Sequence, residues 1–170
     1  MVESKIVICR DIKGGKYEIP VRDLVFRPSV NGVIIEKEKV LLIKDKNGYD
    51  FPGGGIELGE IIPITLKREV KEETGYDIKI GEIITCQDSF FRLPFADNFV
   101  HSILIYYSCK VIGGKLTAEH IDEYEQKVGA EPKWVDTSDV AKIKFCNSVD
   151  SLAIIERAKK INPANSSKKS

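Results

Sequence analysis

The sequence predicts a single-domain α/β (α+β) protein built on a mixed, largely antiparallel sheet. Three observations carry this. β-rich runs recur along the chain and are mostly joined by turn signals. Two or three segments have helical periodicity. The length of 170 residues suits one core, which at this size buries about 70% of the unfolded surface without disulfide or metal staples.

Each element has a local reason. Residues 5–12 form a first β-rich run. Lys13-Gly14-Gly15-Lys16 then supplies a hairpin-turn signal, and KYEIPVRDLVF follows as a second run, so residues 5–25 read as an N-terminal hairpin extension. SVNGVIIE and KVLLIKD flank a polar turn around Glu36 to Lys39. A helix is expected over residues 62–74. Pro63 fits its first turn, where a missing N–H is harmless, and Gly75 fits the position just past its end. IGEIITCQDSFF and FVHSILIYYSCKVI are the longest β-rich runs, and Gly113-Gly114 ends the second. Residues 137–143 suit a short helix capped by Thr137 or Ser138. Residues 148–160 suit a longer one, with Val149, Leu152, Ala153, Ile155 and Ala158 on its apolar side. The domain is expected to span 1–161, and NPANSSKKS, residues 162–170, reads as a disordered tail.

Composition excludes several classes. Basic and acidic residues number 26 each, so the formal net charge is zero and the basic footprint of a nucleic-acid binder is missing. No apolar run approaches the roughly 20 residues that span a bilayer. The N-terminal stretch lacks the apolar core of a secretory signal. Cys9, Cys86, Cys109 and Cys146 form no CxxC pair and read as reduced thiols of a cytoplasmic protein.

The segment KREVKEETG, residues 67–75, poses a physical problem. Glu69, Glu72 and Glu73 crowd the carbonyl end of the expected helix, where each acid costs about 0.3–1 kcal/mol. Ile62, Leu66 and Val70 define the buried row. Glu73 falls within that sector, Glu69 at its edge and Glu72 one step further round. A solvated surface with ion pairs such as Arg68–Glu72 is one reading. A hard divalent cation held against these carboxylates is the other, and it removes both the repulsion and the dipole term. The preceding Phe51-Pro52-Gly53-Gly54-Gly55 favours the cation, because three glycines allow close backbone approach where the acids converge.

Gly54, Glu60, Arg68-Glu69-Val70, Glu72-Glu73 and Gly75-Tyr76 resemble the Nudix box, G-x5-E-x7-R-E-U-x-E-E-x-G-U, where U is a bulky apolar residue. Every fixed position matches over the 23 residues of the box, and the FPGGG lead-in is similar to the family too. Tyr76 is the soft departure, in a slot that is usually aliphatic.

The resemblance implies an α/β/α sandwich with the box as loop–helix–loop. It also implies hydrolysis, with Mg²⁺ or Mn²⁺, of a phosphoric anhydride in a nucleoside diphosphate linked to another group. Glu69, Glu72 and Glu73 would be metal ligands, Glu60 a supporting group, and the backbone at Gly54 a further ligand. Arg68 would orient a glutamate. The general base would be a box glutamate or an acid of a later loop. Glu131, shortly before Trp134, is favoured there, with Glu123 and Glu125 beside it. Phe91 and Phe95, near Phe90, are candidates for stacking on a base, against a plain role as loop anchors. His101 reads as a packed histidine and His120 as an exposed one.

Substrate choice lies outside the box. The run associated with coenzyme A hydrolysis is missing, and Pro94 lies near, but not at, the proline position of ADP-ribose enzymes. A nucleoside triphosphate, oxidised or not, is the leading expectation, with ADP-ribose or a dinucleoside polyphosphate next. A nucleotide-sensing Nudix module without catalysis is the alternative class. The expected partner is a small-molecule nucleotide, with neither nucleic acid nor membrane, and the N-terminal hairpin is a candidate homodimer interface.

Overall fold

A computed structural model describes residues 5–161 apart from 95, 97, 120 and 122. The tail at 162–170 and the residues Phe95 and His120 therefore lie outside the described residues. β1 (Ile6–Arg10) and β2 (Lys16–Pro20) form the N-terminal hairpin. A 3-10 turn at Val21–Asp23 leads to β3 (Leu24–Phe26). Then come β4 (Ser29–Glu36), β5 (Lys39–Lys44), the short β6 (Tyr49–Asp50) and β7 (Gly53–Gly55). Helix α1 (Ile62–Thr74) precedes a long ribbon of β8 (Tyr76–Arg92) and β9 (Phe99–Gly114). The chain continues through α2 (Glu123–Val128), β10 (Glu131–Asp136), a 3-10 turn at Val140–Lys142 and α3 (Ser151–Ile161).

The sheet runs β10-β5-β4-β9-β8-β1-β2, with β3 beside β9, β6 beside β5 and β7 beside β4. It is mixed, as expected: β4 and β3 run parallel to β9, and β1 runs parallel to β8, while the remaining pairs are antiparallel. The apolar run of β4 is buried along nearly its whole length because it lies between β5 and β9, with helices on both faces.

One core layer joins Val30, Ile34, Leu66, Val70 and Ile78 beneath α1. The other joins Val33, Leu42, Phe51, Tyr106 and Ile155 beneath α3. Each such side chain contributes about 1.5–3 kcal/mol on burial. Gly32 of β4 lets α1 approach, since a Cβ there would meet Val70 at 3.3 Å and Leu66 at 3.5 Å.

Several elements differ from expectation. The short helix expected at 137–143 is a single 3-10 turn at Val140–Lys142, with Asp139 rather than Thr137 or Ser138 at its N-cap, and α2 forms where a loop was expected. KYEIPVRDLVF is not one strand: it breaks after Pro20, whose ring removes a ladder N–H, and β3 leaves the hairpin to pair with β9. Gly53–Gly55, expected as loop, forms a short strand against β4. α3 begins at Ser151 rather than 148, because the Asp150 carboxylate accepts the Ala153 N–H at 3.0 Å and caps it there. The cysteines are free thiols, with Cys9 and Cys109 buried and Cys86 exposed.

Candidate active site

The triple glycine is explained position by position. Gly53 has a φ of 149° and lies against the Val30 carbonyl, leaving no room for a side chain. A Cβ on Gly54 would stand 2.5 Å from the Glu69 carboxyl carbon, and one on Gly55 would stand 2.5 Å from the central guanidinium carbon of Arg27. The strand is thus kept bare so that a carboxylate and a guanidinium can rest on it.

Helix α1 delivers the acids to this strand. Gly75 closes it in the left-handed conformation at φ 75°, with its N–H bonded to the Lys71 carbonyl. Lys71 offsets part of the negative carbonyl end by donating to the Gly75 carbonyl at 3.2 Å and to Asp77 at 2.9 Å. Arg68 is the organiser. It grips Glu60 through two N–H groups at 2.9 and 2.8 Å, donates to Glu69 at 2.8 Å and reaches Glu72 at 3.4 Å. The Arg68 fork, with help from the Thr65 hydroxyl, pulls the Glu60 carboxyl down to about 2.

Glu73 is 7% exposed, as its place in the buried sector of the helix implies. The Gly53 N–H donates to it at 2.6 Å. Burial raises its pKa well above the usual range, and Glu125 and Glu69 push in the same direction. Burial also raises Glu69, against the pull of Arg68. Two desolvated carboxylates with a third nearby are a costly arrangement for side chains alone.

That donor set suits a hard divalent cation, whose ligands are carboxylate, carbonyl and water oxygens. Among the described residues, no three His, Cys, Asp or Glu side chains stand as a ready-made metal cluster. Arg68 draws Glu72 and one oxygen of Glu69 toward itself. Phosphate and water oxygens would complete the shell.

The candidate acids do not all gather. Glu125 of α2 lies close enough to Glu73 for its charge to raise that carboxyl, and it lines the cavity described below. Glu131 stands on β10, half-exposed, with its carboxylate paired to Lys133 at 2.7 Å. Phe91 lines the cavity described below. Phe90 instead stacks on His101, which bonds Asp88 at 3.1 Å.

A cavity of about 610 Å³ opens beside the glycine strand. Arg27, Asn31 and Glu125 line it near the acids, Leu104 and Tyr106 give it an apolar wall, and the hairpin tip at residues 10–14 closes another side. Asp50 and Asn147 face it as a hydrogen-bonded pair at 2.8 Å. Burial raises the Asp50 carboxyl to about 6. Sequence reasoning missed Arg27, Asn31 and Asp50. A usable signal existed: Arg27, Ser29 and Asn31 place a polar group at every second position of an otherwise apolar run, which is one face of a strand.

The Nudix domain family model matches residues 25–152, and the chain belongs to that family. It is 37% identical over 120 residues to an ADP-ribose pyrophosphatase of Methanocaldococcus jannaschii, covering 68% of this chain and 66% of that protein. It is 32% identical over 69 residues to an 8-oxo-dGTP diphosphatase of Buchnera aphidicola, covering 37% of this chain and 53% of that protein. The chain thus spans less than two thirds of the length of these curated relatives. A Nudix hydrolase of Nitrosomonas europaea shares its fold, with a TM-score of 0.59 at 16% identity, covering 83% of this chain and 91% of that one.

Proposed function

We propose that this chain hydrolyses a phosphoric anhydride bond in a nucleoside diphosphate linked to another group, dependent on a divalent cation, with ADP-ribose as leading substrate. The convergence of Glu69 and Glu73 on the glycine strand, with Arg68 holding Glu69 and Glu125 near Glu73, is the observation that carries it. The nucleoside triphosphate favoured by the sequence moves to second place, because the archaeal relative matched over two thirds of this chain is an ADP-ribose enzyme.

Glu69, Glu72 and Glu73 would hold Mg²⁺ or Mn²⁺, with the backbone at Gly54 beside them. A bound cation supplies charge neutralisation on the diphosphate and activation of the attacking water. The chain's own groups do the rest. Arg68 fixes the orientation of Glu69 and Glu60. The Gly53 N–H fixes Glu73. Glu125, on the cavity side, accepts the proton of the water as it attacks phosphorus, a role the sequence assigned first to Glu131. The cavity volume falls within the usual range for small-molecule sites.

The test is a panel of ADP-ribose, dGTP, 8-oxo-dGTP and a diadenosine polyphosphate with Mg²⁺, products identified by chromatography. AMP and ribose 5-phosphate from ADP-ribose are the expected products. Equal rates for wild type and Glu72→Gln would overturn the reading. Tight binding across the panel without turnover would make the chain a nucleotide sensor instead. Glu125→Gln losing far more activity than Glu131→Gln assigns the base.

A further inference from the structure

Arg27 is placed with more care than its contacts explain. Its backbone is clamped on both sides: its N–H donates to the His101 carbonyl at 3.0 Å, and its carbonyl accepts the Ser102 hydroxyl at 2.6 Å. Its guanidinium lies over Gly55, where a side chain would collide with it. Yet among the described residues this half-buried group, with five N–H donors, meets one side-chain acceptor, the Ser29 hydroxyl at 3.1 Å. No carboxylate of the described residues comes within ion-pair distance of it, although Glu69 is near enough to favour its charge. No buried side-chain polar atom of the described residues lacks a partner, so its remaining N–H groups keep access to solvent, and the residue itself lines the cavity.

We propose that Arg27 is the anion anchor of the cavity, gripping non-bridging oxygens of the substrate's diphosphate through the guanidinium edge that faces it. Planar forked donors suit phosphate oxygens, and a guanidinium stays charged where burial would neutralise an amine. The placement answers an electrostatic need. Glu69, Glu73 and Glu125 repel a diphosphate, and a fixed cation on the adjoining glycine strand draws it in. The inference rests on the hydrolase reading and adds to it a residue outside the box that selects for an anionic group next to the acids. Gly55 is bare because the anchor occupies the space above it.

The test compares wild type with Arg27→Met and Arg27→Lys by steady-state kinetics on the same nucleotide panel, and by calorimetric binding of ADP-ribose to metal-free protein. Loss of a charge-assisted fork predicts a KM about 10- to 100-fold higher in Arg27→Met, with kcat within about threefold and partial recovery in Arg27→Lys. Adenosine, which lacks phosphate, competes equally well against both variants and wild type. The melting temperature of ligand-free Arg27→Met is no lower than that of wild type, because a half-buried charge with one neutral partner has been removed. An unchanged KM, or an equal fall in kcat alone, overturns the anchor and leaves Arg27 as a support for Glu69. A wild type that prefers a triphosphate displaces ADP-ribose, while the KM shift on that triphosphate still upholds the anchor. If the wild type turns over nothing, the hydrolase reading falls, and equal ADP-ribose affinity of wild type and Arg27→Met overturns the anchor as well.

Discussion

At Glu73, burial and the neighbouring acids Glu125 and Glu69 push the carboxyl toward its protonated form, while the Gly53 N–H works the other way. Glu73→Gln keeps an oxygen for that N–H and removes the charge. Its melting temperature at pH 7 is therefore expected to equal or exceed that of wild type, by up to the order of 1–3 kcal/mol in stability. Its kcat/KM on the preferred substrate falls by roughly 10²- to 10⁴-fold, as for loss of a group that acts in the reaction. A variant that is destabilised yet fully active would refute both halves. The box acids were legible because their spacing on a helix decides which of them face inward. The sequence reading favoured Glu131 over Glu125 as the base. Both are loop-like acids near the last strand, and only the fold shows that α2 turns Glu125 toward Glu73 while the ladder of β10 leaves Glu131 beside Lys133.

At the scale of elements, α1 is held at its end by Gly75. Its φ of 75° is strained for any side chain, and a Cβ there would press on the Lys115 carbonyl oxygen. Gly75→Ala is expected to cost about 2–4 kcal/mol, combining the left-handed backbone term with overpacking. Urea unfolding monitored at Trp134 measures it, and a loss under half of that would mean the turn relaxes freely. The bounds of α1 were readable from local chemistry, a proline at one end and a glycine at the other. The departure of β3 from the hairpin to pair with β9 was not, because it depends on β9, whose Ser102 bonds the Arg27 carbonyl from 75 residues away. The glycine strand β7 escaped for the same reason: its partner β4 imposes extension on residues that locally signal a turn.

For the molecule as a whole, two dependences on solution conditions follow. A cation bound to the folded state alone stabilises it by mass action, by about 2.7 kcal/mol at one hundred times its dissociation constant. Thermal melts in rising Mg²⁺ should show a saturable increase that Glu73→Gln blunts. The second dependence concerns pH. The Asp50 carboxyl is raised to about 6 by burial, so the folded state holds its proton more tightly than the unfolded chain does. Its contribution is fully present below about 4 and is lost as pH rises through about 6. Asp50→Asn should therefore gain on wild type between those values, reaching on the order of 3 kcal/mol at pH 7. Melting curves at pH 4.5 and pH 7 measure this, and a constant difference would exclude Asp50 as the cause. The mixed sheet could be anticipated from β-rich runs joined by turns, but strand order could not, because parallel neighbours such as β4 and β9 are brought together only by the finished core.

The ribbon of β8 and β9 also has a kinetic meaning. Its strands of 17 and 16 residues are adjacent in sequence and pair along almost their whole length, so it closes with little loop entropy. Insertion of β4 beside β9 joins distant residues such as Ser29 and Leu104 and must wait for that surface. The ribbon is therefore the natural nucleus and β4 the late arrival. Val100 and Val30 are each 0% exposed, one on the ribbon and one on β4. In stopped-flow chevrons, Val100→Ala should slow refolding, while Val30→Ala should mainly hasten unfolding. The reverse pattern would place the nucleus in the β4 hairpin, and the glycine strand and its acids would then be among the first parts of the molecule to take shape rather than the last.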